Sequence, residues 1–216
     1  MESYATWTGT RRNLDAMQAH GWRVLMTPDT LDRNGGRSPV WTDGAPALYA
    51  LDNGAWGCHQ QGIAWDADRF LRWVDAVGDG ADWIVLPDIV GGGLPSLDLS
   101  LSWLDRLPGR VLLPVQDGMG ADDVLPHVGG RVGIFVGGST AWKLATLPLW
   151  GRVARQAGAW LHVGRVNTCR RICLCGVAPA HSFDGTSVTR FGVTVHKLDA
   201  ARRAYTLCHW RHPWDL

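Results

Sequence analysis

The chain has 216 residues, of which 46% are hydrophobic and 19% charged, and its formal net charge is +1. These values are typical of one globular domain and exclude a disordered or strongly acidic chain. No apolar run approaches the roughly 20 residues of a membrane-spanning helix, and residues 1–12 lack the apolar centre of an export signal, so we expect a cytoplasmic protein. The five cysteines are unevenly spaced, which favours reduced thiols.

Charge is distributed unevenly along the chain. Residues 1–160 contain 13 basic and 17 acidic residues, whereas residues 161–216 contain 8 and 3. This basic C-terminal segment is equally compatible with a phosphate-binding face and with an ordinary solvated surface.

Short apolar runs, each closed by Gly, Asp or Pro, recur along the chain. They occupy residues 23–28, 47–52, 83–88, 111–116, 133–138 and 160–164, with a weaker run at 181–184. Their apolar character is continuous rather than alternating, which favours parallel strands buried on both faces. An eighth strand is harder to place, and residues 204–208 are its weak candidate.

Segments with helical spacing separate these runs. They cover residues 66–77, 97–107, 141–157 and 168–176. We interpret Asp66 and Asp122 as helix caps, the common role of an aspartate at such positions. The alternation of strands and helices every 20–35 residues or so predicts an α/β protein, and seven strands favour a (β/α)₈ TIM-type barrel over an open sheet. We expect one catalytic barrel domain over residues 1–216, compact and irregular or incomplete at its termini.

Polar and glycine residues cluster where the apolar runs end. In a barrel these ends meet at one mouth, where active sites lie. Three of the residues are aspartates, and neighbouring carboxylates in one cavity acquire different pKa values and can divide acid and nucleophile roles, although each could instead cap a helix. The segments are Asp52-Asn53-Gly54, Pro87-Asp88, Gln116-Asp117-Gly118, Gly137-Gly138-Ser139-Thr140, Gly164-Arg165 and Asp184-Gly185-Thr186-Ser187.

In this order, the segments resemble the motifs of the queuine tRNA-ribosyltransferase-like family, the tRNA-guanine transglycosylases. They are more similar still to the DpdA-type paralogues of phages and bacteria, which insert 7-deazaguanines into DNA. The resemblance spans about residues 47–191. It is carried by Asp52-Asn53-Gly54-Ala55-Trp56, Pro87-Asp88, Val115-Gln116-Asp117-Gly118, Val136-Gly137-Gly138 and Phe183-Asp184-Gly185.

The resemblance implies a role for each matched position. Asp184 would attack the anomeric carbon of the nucleotide and form a covalent glycosyl-enzyme, and Asp52 would act as general acid and base. Replacing one base by another with retained configuration requires such a covalent step. The residues implied in base binding are Asp88 and Gln116 at the polar edge, Gly137 and Gly138 through their backbone, Trp56 by stacking, and Asn53 and Gly164. Trp56 could instead pack in the core, and Gln116 could instead tie a loop.

The implied partners are DNA and a free 7-deazaguanine such as preQ0, in a bacterial cytoplasm or a phage-infected host. A duplex base cannot reach such a pocket without flipping, so we expect single-stranded or locally opened DNA. Candidates for contacts with its backbone are Arg165, Arg170, Arg171, Arg190, Arg202 and Arg203. No membrane partner is expected, and a homodimer stays open.

The chain departs from the family at its cysteines. The tRNA enzymes bind a structural zinc through a Cys-x-Cys-x-x-Cys motif and a histidine, both after the nucleophile. Here Cys169, Cys173 and Cys175 precede Asp184 within a predicted helix, and Cys208, His209 and His212 follow it without further cysteines. We therefore expect buried free thiols, no zinc and no required cofactor.

Two further alternatives stay open besides DNA modification. The same base exchange could act on tRNA or another RNA, or the barrel could be a hydrolase or lyase acting on a small metabolite. A Schiff-base aldolase is disfavoured because Lys143 falls within a predicted helix rather than at a strand end. A catalytically inactive binder of modified nucleic acid is disfavoured by the presence of both Asp52 and Asp184.

Overall fold

Eight parallel strands close into a barrel in the computed structural model, which describes the backbone of residues 1–209 and the side chains of residues 1–204. Each strand pairs with the next along the chain, and the first closes the barrel against the last. The predicted (β/α)₈ TIM-type barrel is therefore confirmed. The strands are β1 (Glu2–Thr6), β2 (Arg23–Met26), β3 (Tyr49–Leu51), β4 (Ile84–Val85), β5 (Val111–Val115), β6 (Val132–Val136), β7 (Leu161–Val163) and β8 (Ser182–Asp184).

Helices alternate with the strands and cover the outside of the barrel. The predicted segments at 66–77, 141–157 and 168–176 match helices to within one or two residues. None of the helices in residues 1–209 combines the length and the apolar character that crossing a bilayer requires. The helices are α1 (Arg11–Ala19), α2 (Pro28–Arg33), α3 (Ala55–Gln61), α4 (Ala67–Val77), α5 (Leu94–Leu101), α6 (Ala121–Val124), α7 (Thr140–Ala157), α8 (Cys169–Val177), α9 (Ser187–Arg190) and α10 (Thr194–His209).

The eighth strand is β1 at the N-terminus, and the prediction of a strand at residues 204–208 is wrong. Those residues belong to α10, in which buried Val195 and Leu198 recur with helical spacing. β1 lacks a continuous apolar run because it contains Glu2 and the buried Ser3. Its conformation is set by pairing with β2 and β8 rather than by local pattern.

The two predicted helix caps have different outcomes. Asp66 caps α4, since its side chain accepts a hydrogen bond from the Arg69 N–H at 2.9 Å. Asp122 is not a cap. It lies within α6, where Gly120 is the N-cap residue and donates its N–H to the Asp123 carboxylate at 2.8 Å.

The helix predicted at 97–107 begins earlier, at Leu94, where Pro95 in the first turn favours initiation, and it ends at Leu101.

The interior of the barrel is filled with side chains. Tyr4 and Trp83 pack edge to face, with ring centroids 5.0 Å apart, and Phe135 and Leu112 pack beside them. At the amino-terminal end of the strands, Arg23 forms ion pairs with Glu2 at 2.7 Å and Asp82 at 2.9 Å. A second apolar layer lies between the strands and the helices. The filled interior leaves the carboxyl ends of the strands as the place for a cavity.

Candidate active site

A cavity of about 550 Å³ lies at the carboxyl ends of the strands. Asp52, Asp88 and Asp184 all line it, each at or just beyond the end of a strand. The other predicted site residues that line it are Asn53, Trp56, Gln116, Gly137, Gly138, Arg165 and Arg190. The structure thus brings most of the predicted set together.

Asp184 ends β8, and its side chain is almost fully enclosed, with 6% of the residue exposed. Its Oδ1 lies 3.0 Å from Nε2 of His162, which is completely buried. The backbone N–H of Arg165 lies 3.3 Å from each carboxylate oxygen and can donate to either. Asp184 is therefore held as an acceptor between β7 and the loop after that strand.

The glycines beside Asp184 serve packing rather than ligand approach. A Cβ atom on Gly185 would lie 2.4 Å from the carbonyl oxygen of Val166, and one on Gly164 would lie 2.8 Å from the Phe135 ring. Gly164 also uses both backbone groups within the protein, since its N–H donates to Val136 and its carbonyl accepts from the Lys143 ammonium. It lies behind the cavity wall, so direct substrate binding by Gly164 has no support in this geometry.

Asp52 follows β3 and is half-buried. One carboxylate oxygen accepts a hydrogen bond from the Gly54 N–H at 2.7 Å, in a turn where Gly54 has φ of +77°. Burial raises the pKa of Asp52 to about 7, the Gly54 hydrogen bond opposes this rise, and the negative charges of Asp184 and Asp88 add to it. Near neutral pH this group is therefore suited to both giving and taking a proton.

Asp88 and Asn53 form a pair at the base of the cavity. The Asn53 amide donates to Asp88 Oδ1 at 2.8 Å and to the carbonyl oxygen of Leu86 at 2.7 Å. Burial raises the pKa of Asp88, and the Asn53 hydrogen bond acts against that rise. Asn53 thus orients a carboxyl group instead of presenting its own amide to a ligand.

Gln116 secures a loop. Its Oε1 accepts a hydrogen bond from the Gly91 N–H at 2.7 Å, and its Nε2 donates to the carbonyl oxygen of Ile89 at 2.9 Å. The alternative of a loop hydrogen bond is therefore what the structure shows for this side chain. It shapes the cavity wall between β4 and α5.

The glycine pair after β6 offers one backbone donor. The Gly137 N–H donates to the Val115 carbonyl at 2.9 Å, whereas no bond to the Gly138 N–H is found within residues 1–209. Gly138 has φ of +65°, and a Cβ atom there would lie 2.6 Å from the Asp117 carboxylate. Close approach of this segment to its neighbours therefore requires glycine at 138.

Trp56 lies at the cavity and is not a core residue, since 43% of it is exposed. The Arg165 guanidinium lies 4.6 Å from the centroid of the indole ring and also donates to the Gly138 carbonyl. Arg165 is the non-glycine residue with positive φ, +59°, within the described chain. Such backbone conformations are uncommon and cluster at functional sites.

Two arginines, Arg165 and Arg190, line the cavity, and three more lie in the first turns of helices that begin at the same end of the barrel; we call these five residues the basic rim. They follow β1, β7 and β8, and the Asn13 amide, which donates to the Thr189 carbonyl at 2.6 Å, joins the start of α1 to α9. Asp29, which follows β2 and also lines the cavity, is paired with Arg69 at 2.7 Å. The basic rim consists of Arg11, Arg12, Arg165, Arg170 and Arg190.

The remaining predicted arginines are placed differently. Arg171 lies beside the rim and donates to the carbonyl oxygen of Arg165 at 3.3 Å. Arg202 and Arg203 lie on α10 and bond to Asp199, and Arg202 also reaches the carbonyl oxygen of His20, just before β2. That contact places them at the amino-terminal end of the barrel. They therefore lie away from the cavity, and their contact with a DNA backbone stays a prediction.

The cysteines of α8 differ in environment. Cys175 is buried, Cys169 is half-buried and Cys173 is exposed, so the expectation of buried thiols holds for Cys175 alone. Among the described side chains, no group of three or more His, Cys, Asp or Glu residues could hold a metal ion. The side chains of Cys208 and His209, and all of His212, lie outside the described residues. The absence of zinc stays a prediction.

Sequence reasoning missed His162, Arg11 and Arg12 as site residues. His162 lies within the apolar run at residues 160–164, and a polar side chain immediately before Val163-Gly164 is the signal that marks it. The two arginines were missed because β1 was missed. Comparison of the chain with models of known protein families and with curated proteins gave no match.

Proposed function

We propose that this chain is a DNA guanine transglycosylase that replaces guanine by a preformed 7-deazaguanine such as preQ0, as its resemblance to the DpdA-type enzymes suggests. The observation that carries the proposal is the convergence of Asp52, Asp88 and Asp184 on one cavity beside Trp56. The volume of about 550 Å³ lies within the range of roughly 300–1,000 Å³ that small-molecule sites occupy. A flipped nucleotide and the catalytic carboxylates can share this space.

The proposed chemistry has two displacements. An Asp184 oxygen bonds to the anomeric carbon as the bond from this carbon to guanine breaks, and the departing base takes a proton from Asp52. The 7-deazaguanine then gives a proton to Asp52, and its nitrogen attacks the same carbon and releases Asp184. Two inversions retain the configuration. Asp52 ends the cycle protonated, as it began, which suits a pKa of about 7.

Base recognition in this proposal uses groups that line the cavity. Asp88 presents a carboxyl group with a raised pKa, and the Gly138 N–H is available for a carbonyl oxygen of the purine. Trp56 offers an aromatic face at the mouth, which suits base stacking. Gln116 acts indirectly in this account, by holding the loop around Gly91.

The polymer would cross the basic rim. Arg165 and Arg190 line the cavity on the side where Asp184 lies, so phosphates flanking the reacting sugar would meet positive charge. The base would point away from the rim, toward Asp88. A paired base must leave its stack to take this position, so single-stranded or locally opened DNA is the expected substrate.

Incorporation of labelled preQ0 tests the proposal. The purified protein would be incubated with single-stranded DNA, duplex DNA and tRNA, beside Asp184→Asn, Asp52→Asn and the control Asp75→Asn, which changes an exposed aspartate on α4. We expect label in DNA, a loss of at least about 10³-fold for Asp184→Asn, and a loss of about 10²- to 10⁴-fold for Asp52→Asn. Asp75→Asn is expected to match the wild type.

The outcomes separate the alternatives. Label in tRNA alone would move the proposal to RNA and leave the chemistry unchanged. No label in any polymer would contradict base exchange and would favour a barrel enzyme of small metabolites or a nucleic-acid binder. Full activity of Asp184→Asn would contradict the covalent step.

A further inference from the structure

A chain of buried hydrogen bonds runs beneath the cavity to Asp184. The Trp160 Nε1 atom lies 2.9 Å from the Ser182 hydroxyl oxygen, which lies 2.8 Å from Nδ1 of His162. Nε2 of His162 in turn lies 3.0 Å from Asp184 Oδ1. Ser182 and Asp184 are two apart on β8 and share a face of that strand. His162 pairs with Ser182 across β7 and β8, its ring packs on Trp83 and Phe135 inside the barrel, and both residues are completely buried.

Donors and acceptors along this chain fit one arrangement of protons. An indole N–H can only donate, so the Ser182 oxygen accepts from Trp160 and its own hydrogen can go to Nδ1 of His162. His162 then carries its proton on Nε2 and donates it to the Asp184 carboxylate. Burial lowers the pKa of His162, which favours the neutral imidazole that this arrangement requires.

The His162 ring is held in place by its neighbours. It stacks on Phe135 with ring centroids 4.9 Å apart, and the Trp83 and Tyr4 rings lie at 4.6 and 5.9 Å. The titratable and charged groups that act on it are Asp184, Lys143 and Glu2, together with the contacting Tyr4. The His162 ring is therefore fixed, and its Nε2 is directed at Oδ1 of Asp184. Orienting a reacting group requires a partner that is itself held in this way.

We infer that His162 is a positioning residue that, oriented by Ser182 and Trp160, holds Oδ1 of Asp184 and leaves Oδ2 to attack the sugar. This inference rests on the proposed function. No proton moves between His162 and Asp184 in either displacement, since the Nε2 proton donates to Oδ1 in both the free carboxylate and the glycosyl ester. The residue therefore acts through the geometry and charge distribution of Asp184.

Kinetic variants test the inference. His162→Leu removes both ring nitrogens, whereas His162→Gln keeps an N–H donor near the Nε2 position. We expect His162→Leu to slow formation of the covalent DNA adduct by about 10- to 100-fold, the usual cost of removing an orienting partner, with little change in KM. His162→Gln should recover most of this loss. Equal rates for His162→Leu and the wild type would overturn the inference.

The pH–rate profile of Ser182→Ala distinguishes orientation of Asp184 by His162 from a purely structural role. Without the Ser182 hydroxyl, His162 can carry its proton on Nδ1 and turn a lone pair toward Asp184, which disfavours the carboxylate. The acid limb of the pH–rate profile should then move to higher pH. The matched control is Ser3→Ala, which deletes a completely buried hydroxyl on β1 that has no hydrogen-bond partner among the described residues. Identical profiles for the two variants would count against the inference.

Nuclear magnetic resonance of ¹⁵N-histidine-labelled protein separates this inference from the proposed function. The His162 signals, assigned by their loss in His162→Gln, should show a neutral ring protonated at Nε2 at about pH 8. A ring protonated at Nδ1 would overturn the arrangement of protons. If the wild type forms no adduct with any polymer, the proposed function fails, and the tautomer still decides whether His162 orients Asp184.

Discussion

At the scale of single residues, Asp52 is held in surroundings that favour its neutral form. Its pKa rises from 3.8 to about 7, mainly through burial. Between these values the native protein keeps a proton that the unfolded chain has released, so the free energy of unfolding falls as the pH rises through this window. We predict that Asp52→Asn removes this fall and stabilises the protein at pH 8, as measured by urea unfolding, by at most about 4 kcal/mol at about 1.36 kcal/mol per pKa unit.

Urea unfolding at pH 4 and pH 8 supplies the comparison. At pH 4 Asp52 is neutral in the native protein, so Asp52→Asn and the wild type should differ little. The control Asp75→Asn should follow the wild type at both values because Asp75 is exposed. A gain in stability for Asp52→Asn that is equal at the two pH values would contradict this account of the Asp52 pKa.

Gly185 allows β8 to approach the loop after β7. A Cβ atom at this position would lie 2.4 Å from the Val166 carbonyl oxygen and 2.8 Å from the Asn167 side chain. The Val166 oxygen belongs to the backbone, so a rotamer change cannot relieve the clash. We predict that Gly185→Ala destabilises the protein by about 1–3 kcal/mol in chemical unfolding, as overpacking usually does. Gly130→Ala is the control, since a Cβ atom there meets nothing within 4 Å.

The chemistry of single residues was only partly predictable from the sequence. Asp52, Asp88 and Asp184 could be located because each ends an apolar run, and parallel strands of a barrel end at the same face. The contacts of Gln116 and His162 could not be foreseen. They depend on the register between neighbouring strands and on a loop conformation, and neither leaves a local pattern in the sequence.

At the scale of elements, the start of α7 connects the glycine pair to the rest of the cavity. The Ser139 hydroxyl donates to Asp117 at 2.7 Å and accepts from the Trp142 N–H at 3.3 Å as the helix cap. We predict that Ser139→Ala costs about 1–2 kcal/mol of unfolding free energy in thermal or urea denaturation, the effect of losing a cap. Ser139→Thr keeps a hydroxyl and should lose less. Equal losses would show that the hydroxyl is not responsible.

The strand β1 is an element that local sequence pattern does not reveal. Glu2 and Tyr4 are polar enough to hide a strand, yet they complete the barrel, where the Tyr4 hydroxyl donates to Asp82 at 2.9 Å. Tertiary pairing overrides the weak local signal. Without β1, the sequence does not show that α1 begins at the carboxyl end of a strand, so it does not indicate that Arg11 and Arg12 lie at the mouth.

At the scale of the whole molecule, the two ends of the barrel differ in what they can bind. At the amino-terminal end, Arg23 forms ion pairs with both Glu2 and Asp82, so these charged groups already have partners within the protein. The carboxyl end is open to a cavity and carries the basic rim on one side. The net charge of +1 hides this asymmetry, which is what a polyanion would encounter.

If the protein binds DNA as proposed, the salt dependence of that binding tests the basic rim. Each arginine that neutralises a phosphate of single-stranded DNA contributes about 0.7 to the slope of log affinity against log salt concentration. We therefore predict that Arg170→Gln and Arg190→Gln each lower this slope by up to about 0.7, as measured by fluorescence anisotropy in the Asp184→Asn background, where the proposed covalent adduct could not form. Arg203→Gln removes the same charge at the opposite end of the barrel, where Arg203 bonds to Asp199, and should leave the slope unchanged. A slope that falls equally for all three variants would mean that DNA senses only the total charge of the protein, and the basic rim would then have no special part in binding.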